Sequence, residues 1–339
     1  FLPKFRYYVT YGHSVLVDMW IRWDAGWYIT IAEHGYSYVP GQTTSVGWFP
    51  LYPLLLRLVH PLVDHAITGI IISNVALIVG MLILYRLLRL DVTKELSYRT
   101  ILYMVVFPAS LFFSSIHTES LFLLLSVAAF YCARKKHWAA AGLIGFLAAL
   151  TRATGILLFP ALVVDYCIQS KVMQGWRFDV KNVRAIDARI LWLLLIPLGT
   201  GIFAFYLQHA FGNAFAYVDV QEATNQSLSL LASLRHGIPP NPAAVLGVPF
   251  LIGACILFYM MRHRLRQSYV VYTLLSLLLP LRTSFTTSAY RYVLVLFPLF
   301  MMLSIVTRRS RTQWYVVGVS LVLLCVFMIA FANGSNLVV

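Results

Sequence analysis

Long apolar runs, separated by short charged loops, dominate this sequence and decide what it can fold into. Hydrophobic residues make up 60% of the 339 positions and charged residues only 11%, whereas a soluble domain carries about 25% charged residues. This composition excludes a cytosolic enzyme, a disulfide-stapled secreted domain and a disordered chain. It predicts an all-α polytopic membrane protein in which residues 1–339 form a single domain.

A membrane-spanning helix needs about 20 predominantly apolar residues, or fewer if it is bent. The sequence offers about ten candidates: 66–85, 99–113, 118–133, 137–151, 156–168, 190–211, 243–261, 268–281, 291–306 and 313–332. The two candidates that meet around Thr151–Gly155 could instead form one broken helix. Leu51–Val63 is apolar, but Pro50, Pro53 and Pro61 favour a re-entrant or interfacial segment there.

Basic residues concentrate in alternate loops. One set of loops holds 18 of the 26 Lys and Arg residues with five acids, and the other holds 8 with seven acids. Cytoplasmic loops carry an excess of Lys and Arg, so the first set is predicted to be cytoplasmic. The net charge of +14 is then mainly a topology signal, and it gives little support to a nucleic-acid-binding role.

This orientation leaves two long segments outside, 1–65 and 212–242. Loops of such length are usually functional or disordered, and these are too aromatic to be disordered. An outside segment at the start of a polytopic chain normally needs a preceding signal or helix. We therefore expect a further membrane helix upstream of Phe1.

The first outside segment contains a candidate general base. Trp20–Gly35 is predicted to form an amphipathic helix along the membrane surface, with Asp24 on its aromatic face and Gly26 on the opposite face. A carboxylate among aromatic rings is desolvated. This costs free energy, so such a residue is expected to have an ion-pair or hydrogen-bond partner or a functional role. Desolvation makes it a stronger base. The alternatives are a helix N-cap or an ion pair with Arg22.

Other polar residues sit in or beside the predicted outside loops. Glu33 and His34 end the predicted helix and could act as an acid or position an acceptor, or could be solvated surface residues. Glu119 and His117 occupy an outside turn and could face the same cavity as Asp24; alternatively, Thr118 caps the next helix and Glu119 sits at its positive end.

Two arginines, Arg152 and Arg291, lie at the outside ends of apolar runs. They could snorkel there or hold a lipid-linked phosphate.

Aromatic residues accompany these groups. Trp27, Tyr28, Trp48 and Tyr52 could contact a sugar or lipid, although interfacial packing explains them equally well. The sequence contains no nucleotide-binding loop, no dinucleotide-binding glycine motif and no zinc-hydrolase or serine-hydrolase signature. It requires no cofactor and predicts no metal ligands, although carboxylates and phosphate together could bind a divalent cation.

Several motifs in order resemble the PIG-V family, the second mannosyltransferases of glycosylphosphatidylinositol (GPI) anchor synthesis, and their prokaryotic relatives. The most specific block is Arg22-Trp-Asp-Ala followed by Ile31-Ala-Glu-His-Gly-Tyr36. The later blocks are Trp48-Phe-Pro-Leu-Tyr-Pro53, Pro108-Ala-Ser110, Thr118-Glu-Ser-Leu-Phe122, Thr151-Arg-Ala-Thr-Gly155 and Arg291-Tyr292. Together they extend from about Trp20 to about Pro298.

The resemblance implies a GT-C type membrane glycosyltransferase. Such enzymes move a hexose, typically mannose, from a polyprenyl-phosphate donor to a glycolipid or cell-envelope glycan on the non-cytosolic face. Asp24 occupies the position of the family's acidic residue in the first outside loop. The membrane would be the cell membrane in a prokaryote or the endoplasmic reticulum in a eukaryote, and a small membrane subunit is a conceivable partner.

Two other functions remain open on sequence grounds. A transporter or lipid flippase would share the helical bundle and the basic loops. Transporters, however, tend to place ionisable residues near the bilayer midplane in broken helices of two repeats. Here the carboxylates lie in outside loops and no repeat is evident. A non-catalytic subunit of a transferase is the third alternative.

Overall fold

Helices make up most of the chain in a computed structural model that describes residues 15–60, 62–174, 176–228, 242–282, 288–308, 310–335 and 338. In chain order the α-helices are α1 Val15–Asp18, α2 Asp24–His34, α3 Leu51–Val59, α4 His65–Leu88, α5 Lys94–Val106, α6 Glu119–Arg134, α7 Trp138–Thr151, α8 Leu158–Gln169, α9 Leu195–Phe211, α10 Ala216–Leu228, α11 Pro242–Met261, α12 Gln267–Arg282, α13 Ala289–Leu294, α14 Phe297–Val306 and α15 Ser310–Ala332.

Shorter elements connect these helices. The 3₁₀ turns are Ser45–Gly47, Pro108–Phe113, Ala153–Leu157, Val180–Ala185, Ala188–Leu194 and Arg262–Arg264. Two two-residue strands, β1 Met173–Gln174 and β2 Arg177–Phe178, pair antiparallel with Met173 opposite Phe178. They form a small hairpin in the connection between α8 and α9.

Local sequence explains where the longest helix begins. The Asp64 carboxylate accepts a hydrogen bond from the Ala66 amide at 2.8 Å, which satisfies one of the free N–H groups at the start of α4. The helix then continues for 24 residues to Leu88. At 1.5 Å per residue, it is long enough to cross the hydrocarbon core of a bilayer.

The outer surface of the bundle is apolar. Ile78 on α4 and Val322 and Ile329 on α15 are more than half exposed, as expected of helices that face lipid on one side and protein on the other. Among the described residues, four helices are long and apolar enough to cross a membrane: His65–Leu88, Ala188–Phe211, Val245–Arg264 and Arg311–Ala332. Shorter apolar helices accompany them, and the protein is an all-α polytopic membrane protein.

Each of the ten predicted segments contains a helix, but some boundaries differ. The segment predicted at 99–113 begins earlier, because Thr93 accepts a hydrogen bond from the Leu96 amide and caps α5. It ends as an α-helix at Val106, since Pro108 disfavours helical geometry in Phe107. Pro108–Phe113 continues as a 3₁₀ turn.

The first long outside segment departs further from the prediction. Helix α2 starts at Asp24 rather than Trp20, and Gly26, expected on the polar face, is buried. Leu51–Val59 forms a helix, because Pro50 precedes it and Pro53 falls in its first turn, where a missing N–H costs little; its re-entrant or interfacial placement stays a prediction. The second long segment contains α10, while residues 1–14, 61 and 229–241 lie outside the described residues.

The hairpin of α6 and α7 defines two ends of the bundle. These helices pack against each other and run antiparallel, so the start of α6 and the end of α7 lie together. We call this the Glu119 end. At the opposite end Arg134 contacts Asp91 at 2.6 Å, and Arg266 pairs with the buried Asp165. The loop after α4, the end of α6, the end of α8 and the loop after α11 therefore meet there.

A sharp break separates α7 from α8. The chain turns back on α7 through the 3₁₀ turn Ala153–Leu157, and a Cβ on Gly155 would lie 2.3 Å from the Ala148 carbonyl oxygen. Only glycine permits so close an approach of two backbones. The turn fixes Arg152 at the Glu119 end.

Candidate active site

Asp24 is the first residue of α2 and lies against an arginine from the C-terminal part of the chain. Its Oδ2 atom is 2.7 Å from Nη2 of Arg291. The alternative pairing with Arg22 does not form, because Arg22 donates to the carbonyl oxygens of Asp18 at 2.7 Å and Ala332 at 3.1 Å. Asp24 is therefore neither an N-cap nor a partner of its sequence neighbour.

The residue before Asp24 has unusual backbone geometry. Trp23 has a φ of 55° and a ψ of −117°, in a region that bulky residues rarely adopt. Its indole is buried in the main hydrophobic core. Burial of this large ring can offset the backbone strain, and it fixes where α2 begins and where Asp24 points.

Glu119 is the first residue of α6, and its side chain is enclosed completely. Its Oε1 atom lies 2.8 Å from Nε of Arg291 and 2.9 Å from Nη1 of Arg152. The alternative in which the Thr118 side chain caps α6 is not realised, because that side chain makes no capping hydrogen bond. Glu119 does occupy the positive end of the helix, as predicted, but its principal partners are two cations from distant parts of the chain.

Asp24, Glu119, Arg152 and Arg291 thus form one charged cluster at the Glu119 end. Two carboxylates and two guanidinium groups give it no net formal charge. Side-chain exposure is graded, from 0% for Glu119 and 5% for Arg291 to 14% for Arg152 and 25% for Asp24. Asp24 is the member of the cluster that is most accessible from outside the protein.

Aromatic rings complete the surroundings of both arginines. The Arg291 guanidinium lies 4.6 Å from the ring centre of Phe112, and that of Arg152 lies 5.5 Å from the ring centre of Tyr292. Cations over aromatic faces are stabilised, more strongly where water is excluded. Sequence reasoning missed both rings, although Tyr292 directly follows Arg291 in the motif.

Tyr28 and Thr118 link Asp24's helix to this cluster. The Tyr28 hydroxyl lies 3.3 Å from the Thr118 hydroxyl, to which Arg152 donates at 3.4 Å. Burial, reinforced by the nearby Asp24 and Glu119 charges, raises the pKa of Tyr28 well above its usual value. The phenol therefore stays neutral and can serve as a hydrogen-bond donor.

His117 lies next to the cluster. It is fully buried, its Nδ1 is 2.8 Å from the Ser115 hydroxyl, and its ring packs edge-on against Phe112. Burial, together with the nearby Arg291, lowers the pKa of His117 to about 4. The imidazole is therefore neutral near pH 7.

Glu33 and His34 lie apart from the cluster. Glu33 lies nine positions after Asp24 on the same helix, about 14 Å along the axis. Glu33 is 3.6 Å from both His34 and His65, and the His34 side chain is 74% exposed. The structure therefore does not bring the predicted acid and acceptor-positioning groups Glu33 and His34 to Asp24.

The four predicted aromatic contacts divide into two pairs. Tyr28 and Tyr52 are buried, and the Tyr52 hydroxyl bonds the Gly69 carbonyl and the Ser73 hydroxyl, both at 3.0 Å. Trp27 and Trp48 stack on each other with ring centres 4.7 Å apart and are only partly buried. A sugar or lipid could therefore reach the tryptophan pair but not the enclosed ring of Tyr52.

Both carboxylates of the charged cluster already form ion pairs with arginines of the same chain. Across the described residues, no group of three or more His, Cys, Asp and Glu side chains has the geometry of a metal site.

Comparison with known proteins gives a consistent identification. The family described as Mannosyltransferase (PIG-V) matches residues 7–171, which include Asp24, Glu119 and Arg152. The mouse protein named GPI alpha-1,6-mannosyltransferase 2 is 26% identical over 206 residues, 55% of this chain and 40% of that protein. GPI mannosyltransferase 2 from Cryptococcus neoformans var. neoformans is 28% identical over 145 residues, 40% of this chain and 34% of that protein.

The chain thus aligns with less than half the length of either relative, and no solved structure gives a significant match. The family match and the relatives nevertheless agree with each other and with the motifs that build the charged cluster. Residues 7–171 of the chain, slightly less than half of it, are thus similar to the PIG-V mannosyltransferase family.

Proposed function

We propose that the protein transfers a mannosyl residue from a polyprenyl-phosphate donor to a hydroxyl group of a glycolipid or cell-envelope glycan. The family match and the names of the relatives support the sugar and the reaction class. The observation that carries the proposal is the charged cluster at one end of a lipid-facing bundle: the accessible carboxylate of Asp24 pairs with Arg291, and the enclosed Glu119 holds both Arg291 and Arg152. Such a site offers both a base and a phosphate-binding surface.

Arg152 and Arg291 are the groups that would hold the donor phosphate. Guanidinium groups bind phosphate through paired N–H bonds, and they do so most strongly where water is excluded. The apolar outer faces of α4 and α15 would let a prenyl tail remain in the bilayer while its phosphate reaches this end. Trp27 and Trp48 could contact the sugar or the lipid beside it.

Asp24 is the carboxylate suited to accept a proton, because Glu119 is enclosed and bound by both arginines. The acceptor oxygen would form a bond to the anomeric carbon while the bond from that carbon to the phosphate oxygen breaks. The hydroxyl proton passes to Asp24, and the polyprenyl phosphate leaves with the bonding electrons, stabilised by the arginines. A single displacement inverts the anomeric centre, so a β-linked donor yields an α-mannoside.

The site lies at the opposite end of the α6–α7 hairpin from the basic loops. If those loops are cytoplasmic, by the positive-inside rule, transfer takes place on the non-cytosolic face. The membrane is then the cell membrane or, in a eukaryote, the endoplasmic reticulum.

The test is to supply purified protein in lipid nanodiscs with a short-chain polyprenyl-phosphate mannose and a glycolipid extract, and to identify products by mass. The proposal expects a glycolipid one hexose heavier. Asp24→Asn should lower the rate by about 10² to 10⁴, the usual contribution of a general base. The matched control is Asp219→Asn, which removes a carboxylate that bonds Tyr38 and Asn213 instead of the cluster arginines.

Other outcomes would refute the proposal. Lipid movement across the bilayer without a mannosylated product would indicate a flippase. A product that forms only with a second protein, and that is insensitive to Asp24→Asn, would indicate a non-catalytic subunit. Normal turnover by the Asp24→Asn protein would remove Asp24 from the mechanism even if mannosyl transfer occurs.

A further inference from the structure

Arg291 bonds two carboxylates through different nitrogens. Its Nη2 contacts Oδ2 of Asp24 at 2.7 Å, while its Nε contacts Oε1 of Glu119 at 2.8 Å. While this contact lasts, Oδ2 of Asp24 is occupied by the guanidinium and is not open to an acceptor hydroxyl group.

Glu119 offers Arg291 a second mode of binding. Within the described part of the chain, Oε2 of Glu119 is buried and has no hydrogen-bond partner, and a buried unsatisfied carboxylate oxygen is costly. With Nε already on Oε1, a rotation of the guanidinium could place Nη2 on Oε2 instead of on Asp24. That would form the paired, fork-like arrangement that arginine and carboxylate prefer.

We propose that Arg291 is a switch that couples donor binding to release of the base. This inference rests on the proposed function. The negative charge of the donor phosphate competes with Asp24 for the guanidinium, Arg291 moves onto Glu119, and its remaining N–H groups face the phosphate. Asp24 is then released beside the donor, and Glu119 is a positioning residue that keeps Arg291 in reach in both arrangements.

The switch makes a specific prediction about binding. If Asp24 and phosphate compete for Arg291, removal of the Asp24 charge should tighten phosphate binding even though transfer is lost. Coupling between sites of this kind is typically 5- to 150-fold, so we expect Asp24→Asn to bind at least about fivefold more tightly. If Asp24 instead helped to bind the donor, the same substitution would weaken binding.

The probe is a short-chain polyprenyl monophosphate, titrated into the full chain in nanodiscs and followed by tryptophan fluorescence. The variant Asp219→Asn is the control for the general effect of removing a negative charge. Its affinity for the polyprenyl monophosphate should stay within about twofold of that of the wild type, because Asp219 is not coupled to the switch. In an Arg291→Lys background, the gain from Asp24→Asn should disappear, because the short lysine head group cannot bridge both carboxylates.

Each outcome is decisive. Equal or weaker binding by Asp24→Asn, or an equal gain with Asp219→Asn, overturns the switch while leaving the proposed transfer intact. Failure of the wild type to bind the phosphate refutes both. Infrared spectra of wild-type protein labelled with ¹³C-aspartate test the switch without any substitution in the cluster. The switch requires an aspartate carboxylate band to shift when the polyprenyl phosphate is added. An unchanged spectrum contradicts the switch.

Discussion

Replacement of Glu119 by glutamine should destabilise the protein strongly. Glu119 is fully enclosed and accepts bonds from Arg152 at 2.9 Å and from Arg291 at 2.8 Å. Glutamine has nearly the same shape and keeps one oxygen acceptor, so the substitution removes the charge without opening a cavity. Asp24 would then be the single anion facing two largely buried guanidinium groups.

The expected magnitude follows from this burial. Removing one partner of a buried ion pair costs about 3–5 kcal/mol, mostly because the other charge is left uncompensated. The retained oxygen places Glu119→Gln at the lower end, about 3 kcal/mol. By the relation measured for soluble domains of 150–250 residues, about 2–4 °C per kcal/mol, the melting temperature should fall by about 6–12 °C.

The assay is thermal unfolding of matched nanodisc samples, with Glu95→Gln as the control. Glu95 also lies in the first turn of a helix, but it is exposed, so loss of its charge should change the melting temperature little. The double variant Glu119→Gln with Arg291→Gln should be less destabilised than the sum of its singles, by about 0.5–3 kcal/mol. If Glu119→Gln melts no lower than Glu95→Gln, the buried pairs contribute no net stability and the reasoning is wrong.

Two further predictions concern pH and helix packing. The pKa of His117, about 4 in the folded protein against an ordinary 6.5, means that the unfolded chain binds more protons between these values. Stability should therefore fall by up to about 3 kcal/mol as the pH drops from 6.5 to 4. His117→Phe should remove this part of the acid sensitivity, and identical pH profiles of melting temperature would contradict it. Gly142→Ala should cost about 1–3 kcal/mol, because its Cβ would overlap the Trp192 carbonyl oxygen. Gly201→Ala, which has open space, should be neutral or stabilising; equal melting temperatures for both variants would refute the packing argument.

The residues of the charged cluster could be selected from the sequence, but their pairing could not. Asp24 stands out as an acid among aromatic residues, and Arg152 and Arg291 as cations at the ends of apolar runs. Nothing local indicates that Arg291 bonds Asp24 rather than a lipid, because the contact joins segments far apart in the chain. Sequence neighbours instead suggested Arg22 as the partner, and the structure gives Arg22 to backbone carbonyls.

Most of the fold follows from apolar runs, whereas helix boundaries depend on tertiary contacts. The ten segments were visible as hydrophobic stretches because lipid selects apolar side chains on nearly every face. The start of α2 was mispredicted because the Trp23 backbone leaves the helical region so that its indole can enter the core. The periodicity of apolar residues cannot reveal this change in the Trp23 backbone, because the tryptophan fits the helical pattern as well as its neighbours do.

The separation of the cluster along the chain has a consequence for biosynthesis. Glu119 and Arg291 are 172 positions apart, and Arg291 follows residues 7–171, the part in which the family is recognised. During membrane insertion, Asp24 and Glu119 emerge long before the cation that joins them. A nascent chain should therefore hold Asp24 without its cation, and Glu119 with Arg152 alone, until the helix that carries Arg291 arrives, which gives a quality-control factor time to distinguish unfinished chains from complete ones.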